Sequence, residues 1–328
     1  MSFAALFAQM AALFLPVIVG YVAARLKFMN DGFDNELSKL VLNVTLPCML
    51  VASASTSDGL PDAVTSLELL GLSTLGYVIV VILGYAVAWL LRAPASERGI
   101  FAFMVAFGNV GFIGYPVLSA LLGPKAVVYA AIANIPNLVF TFSVGAVMVK
   151  SGADARDVGE PGQGGGHAKA RGGSLAKTLR SSMKSVLSPT FVASVILLVL
   201  VLLRVDDLGI LGEGLKVAGS LTTPAVLLVT GASLANYDPL SMLTSWRAYA
   251  VAAVRLLVVP LVLLAALGPL MSDDFVRSII VVGSAMPVAT NAILFCLIYG
   301  AEPKPALQGT FISVIASVLT LPLVAMLV

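Results

Sequence analysis

Two stretches of this chain join helix-breaking residues to amides and hydroxyls in a pattern that suits binding more than bond making. Gly108-Asn109-Val110-Gly111-Phe112-Ile113-Gly114-Tyr115-Pro116 sets glycines at every third position ahead of a proline. Gly283-Ser284-Ala285-Met286-Pro287-Val288-Ala289-Thr290-Asn291 ends on a hydroxyl and an amide. Glycine loosens a helix, and proline removes a backbone donor and clashes with the preceding turn. A break at either place exposes the N-terminus of the half-helix that follows, whose unpaired N–H groups and partial positive charge favour an anion. Asn109, Gly111, Gly114 and Pro116 are the candidate binding residues of the first stretch; Pro287, Val288, Thr290 and Asn291 are those of the second. Asn134 and Asn137 flank Pro136 and join them, because an amide donates and accepts without burying a charge. Asn43 and Thr45 precede Pro47 and are candidates for support or structure. The bland alternatives are a small-residue packing face at 108–116 and ordinary interhelical hydrogen bonds for Asn43 and Asn134.

Arg255 is the one charge placed deep in an apolar stretch. Such a residue must face the protein interior or a cavity, because an arginine at a helix centre costs about 2.5–3.5 kcal/mol on insertion scales. Two roles are open to it: contact with a bound ligand, or a clamp on backbone carbonyls freed by the breaks or by Pro260. No Asp or Glu lies at comparable depth. There is no metal-ligand cluster, no Ser/His/Asp set, no P-loop and no dinucleotide fingerprint. His167, the only histidine, lies among glycines with no second ligand near it. The expectation is therefore a protein that is not an enzyme, with no cofactor, no metal and no nucleic-acid partner.

The elements that must position these residues follow from hydropathy. Apolar residues make up 59% of the chain, charged residues 11%, and mean hydropathy is +1.02; soluble domains carry about 25% charged residues. A span needs about 20 mostly apolar residues. Ten segments qualify, numbered here 1 to 10: roughly 3–26, 36–56, 67–91, 99–121, 126–149, 187–204, 213–235, 245–268, 276–299 and 306–327. With the N-terminus outside and loops alternating, fourteen of the 19 Lys and Arg fall on the inner side and four on the outer. The positive-inside rule then puts both termini outside a cell inner (plasma) membrane.

Residues 151–186 break the pattern, being Gly-rich, polar and basic, and read as a flexible cytoplasmic linker. They separate residues 1–150 from 187–328, five segments each. A shift of 177 residues lays Glu36, Lys39, Thr45, Pro47 and Leu50 on Glu213, Lys216, Thr222, Pro224 and Leu227, and Gly123 on Gly300. Because each half holds an odd number of segments, the second must be inverted relative to the first. Inverted repeats with matched breaks are a mark of secondary transporters and put the substrate site near the midplane. The expected fold class is an all-α integral membrane protein of ten transmembrane helices in two inverted five-helix repeats, with broken helices 4 and 9 crossing.

Asn43-Val44-Thr45-Leu46-Pro47, Gly108-Asn109 through Gly114-Tyr115-Pro116, Arg255 with Pro260, and Pro287 resemble the auxin efflux carrier family, which includes the plant PIN-formed auxin transporters and bacterial permeases. The resemblance covers nearly the whole chain outside 151–186. It implies a fold shared with bile acid symporters and sodium/proton antiporters. Segments 1, 2, 6 and 7 would form a scaffold, often a homodimer, and segments 3–5 and 8–10 a moving core with its crossover at Pro116 and Pro287. It also implies carboxylate recognition beside the crossover, with Asn109 matching the family's asparagine. The expected function is secondary transport of a small mono- or dicarboxylate anion by alternating access, of elevator type, with a proton or sodium ion as the possible coupling partner. The alternatives are a sodium-coupled symporter of a larger amphipathic anion and a membrane ligand sensor.

Overall fold

The computed structural model describes residues 3–29, 32–56, 59–159, 187–271 and 273–328. Seven helices among them are long and apolar enough to cross a bilayer: Phe3–Arg25, Phe33–Ser55, Ala63–Leu90, Ala126–Ala155, Gly209–Ala235, Trp246–Leu270 and Lys304–Ala325. They hold segments 1, 2, 3, 5, 7, 8 and 10. Segment 6 is the shorter helix Pro189–Leu202. Segments 4 and 9 are each divided, into Ala95–Ala106 and Val110–Leu122, and into Asp274–Ser284 and Asn291–Tyr299. The helix of segment 5 runs on through Ala146–Gly159, past the expected start of the linker at 151. The remainder of that linker, with His167, lies outside the described residues.

Local sequence explains where the helices begin. Asp62 and Asp273 accept from the backbone N–H of Thr65 and Val276, both at 2.7 Å, and Ser188 and Ser245 accept from Phe191 and Ala248, both at 3.3 Å. Each satisfies a donor that a helix start leaves unpaired.

Proline also shapes the interiors. Three π-helical turns, Val41–Thr45, Val110–Gly114 and Val254–Val258, each stand two residues before a proline: Pro47, Pro116 and Pro260. In each, the residue after the turn donates to the carbonyl five positions back, Leu46 to Val41, Tyr115 to Val110 and Val259 to Val254. A proline cannot donate to its own i−4 carbonyl and its ring pushes that carbonyl away, so the turn widens by one residue and the helix continues. The fourth π-turn, Thr141–Gly145, follows Pro136 by five residues.

Helix packing falls into two groups. Segment 1 lies along segment 7, and segments 6 and 7 lie along segment 2; segments 3, 4, 5, 8, 9 and 10 pack mainly on one another. Segment 1 on 10 and segment 6 on 5 join the groups. Segments 1 and 7 approach backbone to backbone, since a Cβ at Gly20 would strike the Leu228 carbonyl and one at Gly231 the Val17 carbonyl. Small residues permit this close approach, the source of helix association where lipid removes the hydrophobic drive. Gly231→Val is expected to destabilise the folded protein by about 1–3 kcal/mol through overpacking. A thermal melt of the purified variant in detergent checks this; a midpoint equal to the parent protein's would refute close contact there.

Candidate functional site

The two interruptions meet. Asn109 N–H donates to the Pro287 carbonyl at 2.7 Å and Ala289 N–H to the Phe107 carbonyl at 3.1 Å, with Gly108 and Val288 bridged antiparallel between them. Val288 N–H donates to Ser313 Oγ of segment 10 at 3.0 Å. Backbone groups freed by the breaks are thus paired again, as burial requires. Gly108 is needed at the crossing because a Cβ there would collide with the Arg255 guanidinium.

Arg255 sits on the π-turn of segment 8 and is 2% exposed. Its Nε donates to the Met286 carbonyl at 3.0 Å, and its Nη1 to the carbonyls of Val105 and Ala106, both at 3.0 Å. Val105 and Ala106 end the first half-helix of segment 4, and Met286 follows the end of the first half-helix of segment 9. The guanidinium therefore caps both C-terminal ends, where orphan carbonyls and partial negative charge collect. Of the two roles open to Arg255, its bonds fit the clamp. It lines a cavity of about 50 Å³ with Ser73 and Tyr77, and is absent from the wall of the large cavity described next.

The N-terminal ends of the second half-helices face a cavity of about 590 Å³ between the two packing groups. Its wall includes Asn43, Asn109, Gly111, Asn134, Asn137, Thr290 and Asn291, so seven of the expected residues come together. The others do not reach it. Pro287 and Val288 are buried in the crossing itself, Gly114 and Pro116 in the half-helix behind it, Thr45 is buried in segment 2 and Pro47 half-buried there. Pro116 also differs from its expected place at the crossover. The crossing falls at Phe107–Asn109, where Gly108 lacks a Cβ and Asn109 caps the next helix, while Pro116 sits in the first turn of Tyr115–Leu122.

Asn109 uses only part of its amide locally. Its Oδ1 accepts from Phe112 N–H at 3.1 Å, holding the half-helix N-terminus, and its Nδ2 has no partner among the described residues. Behind it runs a buried chain of neutral groups. Thr141 Oγ1 donates to Asn137 Oδ1 at 3.1 Å, Asn137 Nδ2 to Asn134 Oδ1 at 2.8 Å, and Asn134 Nδ2 to the Tyr115 hydroxyl at 3.0 Å. Asn134 and Asn137 are thereby fixed in orientation at the cavity wall.

The site also contains a residue that the sequence reading missed. Lys39 lines the cavity's rim, 68% exposed and paired with Glu36 at 2.8 Å. It is the one charged side chain among the described lining residues, none of which is a carboxylate. A signal was available: Asn35, Ser38, Lys39, Leu42, Asn43 and Leu46 repeat at helical spacing and form a stripe on one face of segment 2. What this arrangement offers, among the described residues, is a set of oriented donors. A family model described as membrane transport protein matches residues 5–325. No curated protein matches the sequence.

Proposed function

Because the chain belongs to the membrane transport protein family, that of the auxin efflux carriers, we propose that this multi-pass membrane protein is a secondary transporter of a small carboxylate anion working by alternating access. The family is one of transporters, not enzymes. The observation that carries the substrate's sign is the unequal treatment of the half-helix ends. Arg255 neutralises both C-terminal ends, while both N-terminal ends open on a cavity with amides, one lysine at its rim and no carboxylate among the described lining residues. A desolvated cation there would lack a counter-charge, which is very costly.

Further features support the finer points. The cavity lies between the group of segments 2, 6 and 7 and the group of segments 4, 5, 9 and 10, as a core moving against a dimeric scaffold would require. Its rim carries Lys39, Ser188 and Tyr237, residues beside segment ends that the charge rule assigns to the inner side, which supports a form open to the cytoplasm. The shift of 177 residues places Ala95–Ala106 within about two residues of Asp274–Ser284, and Gly123 and Gly300, with φ of 90° and 75°, end the two second half-helices. These pairings support ten spans in two inverted repeats.

Phe112, Phe142 and Phe311 on the cavity wall favour a second reading, an amphipathic carboxylate larger than a simple dicarboxylate. Binding to purified protein tests the shared claim. Malonate or an aromatic acid is expected to raise the thermal midpoint, while the matching neutral amide binds at least about tenfold more weakly, the loss of a charge-assisted hydrogen bond. Equal affinity for acid and amide would end the anion assignment, and the ranking of the two acids separates the two readings.

A further inference from the structure

The cation at the cavity rim has a mate. Lys39 and Lys216 occupy matching places in segments 2 and 7, each three residues after a glutamate and six before a threonine that precedes a proline by two. Thr45 and Thr222, the threonines of the two motifs, are both buried with hydroxyls that have no partner among the described residues.

The two segments run antiparallel against one another. Leu208 N–H donates to Ser55 Oγ at 3.1 Å, and a Cβ at Gly219 would come within 2.7 Å of the Met49 backbone. Lys216 lies between those two contacts, beside the stretch from Met49 to Ser55. Lys39 lies at the other end of segment 2, before the turn Val41–Thr45. The two lysines therefore stand on opposite sides of the motif's centre, displaced toward opposite faces of the molecule.

Lys216 is not a loop residue. It follows the start of the helix Gly209–Ser220 by seven residues, about 10 Å at 1.5 Å per residue. Its side chain is exposed, near the outer end of segment 7.

We propose that Lys216 is the outer counterpart of Lys39, the cation at the cavity's mouth when the molecule opens to the opposite face. The role holds only if the chain is the alternating-access anion transporter proposed above. An anion leaving water for a cavity of neutral amides gains little from them until it is close. At the rim the Lys39 ammonium gives one of its three donors to Glu36 at 2.8 Å and keeps the others for an anion at the entrance. With a cation at one mouth only, capture would be favoured from that side alone; the repeated motif provides one at each.

Uptake of radiolabelled malonate into right-side-out and inverted membrane vesicles tests this. Lys216→Gln is expected to raise KM at the outer face about five-fold and to leave KM at the inner face unchanged. Lys39→Gln should do the reverse, and Lys216→Arg should behave as the parent protein. Equal changes at both faces, or none, with the parent protein's flux intact would overturn the assignment of Lys216 alone. Absence of saturable malonate flux by the parent protein would overturn the proposed transport of small dicarboxylates, and this role with it.

Discussion

Arg255→Met is expected to yield no monodisperse protein in detergent, whereas Arg255→Lys survives with a lowered thermal midpoint. The arginine makes three hydrogen bonds to carbonyls at the two C-terminal half-helix ends, in a place 2% exposed. Removing it leaves those carbonyls unsatisfied, at about 1–3 kcal/mol each. It also leaves two helix-dipole ends facing one another without a counter-charge. The sum approaches the whole stability of a typical protein, about 5–15 kcal/mol. Lysine restores the charge but has no planar fork to reach carbonyls on two chain segments at once. Size-exclusion profiles and melts of both variants check this. An Arg255→Met protein as stable as its parent would show that the clamp contributes little. A clamp that does not touch substrate makes a further demand: the surviving lysine variant should keep the parent protein's KM for malonate while losing stability.

Asn109→Ser is expected to weaken anion binding about ten- to a hundredfold while the protein stays folded. Serine can still cap the half-helix by accepting from Phe112 N–H, the bond Asn109 makes at 3.1 Å. What it removes is the free Nδ2 donor at the cavity wall, and a hydrogen bond to a charged group contributes about 1.5–3 kcal/mol. Asn109→Asp provides the opposite control, since it keeps the cap but sets a negative charge where the anion would lie, and should abolish binding. Thermal-shift titrations with malonate read both. Undiminished affinity in the serine variant would remove Asn109 from the substrate site and leave it a capping residue.

Much of this architecture was legible in the chain itself because its cause is local. Apolar runs long enough to cross a bilayer, glycine and proline within two of them, and an arginine at a depth where lipid cannot solvate it are properties of neighbouring residues. From them follow the helical class, the division of segments 4 and 9, and the need for Arg255 to face inward. The absence of deep carboxylates, which carries the sign of the proposed substrate, was equally plain. Tertiary structure decided everything that depends on a distant partner. Arg255 bonds to Val105, 150 positions away, and only that pairing separates a clamp from a ligand contact. The crossing falls at Phe107–Asn109 and not at Pro116 because Pro287 and Ala289 supply the opposing backbone groups there. Lys39 resembled any basic residue near a loop until folding set it on the same cavity as Asn109 and Asn291. Spacing along a chain reports periodicity and breaks; it holds no record of which freed donor will find which freed carbonyl, because that match is made in three dimensions when the half-helices pack.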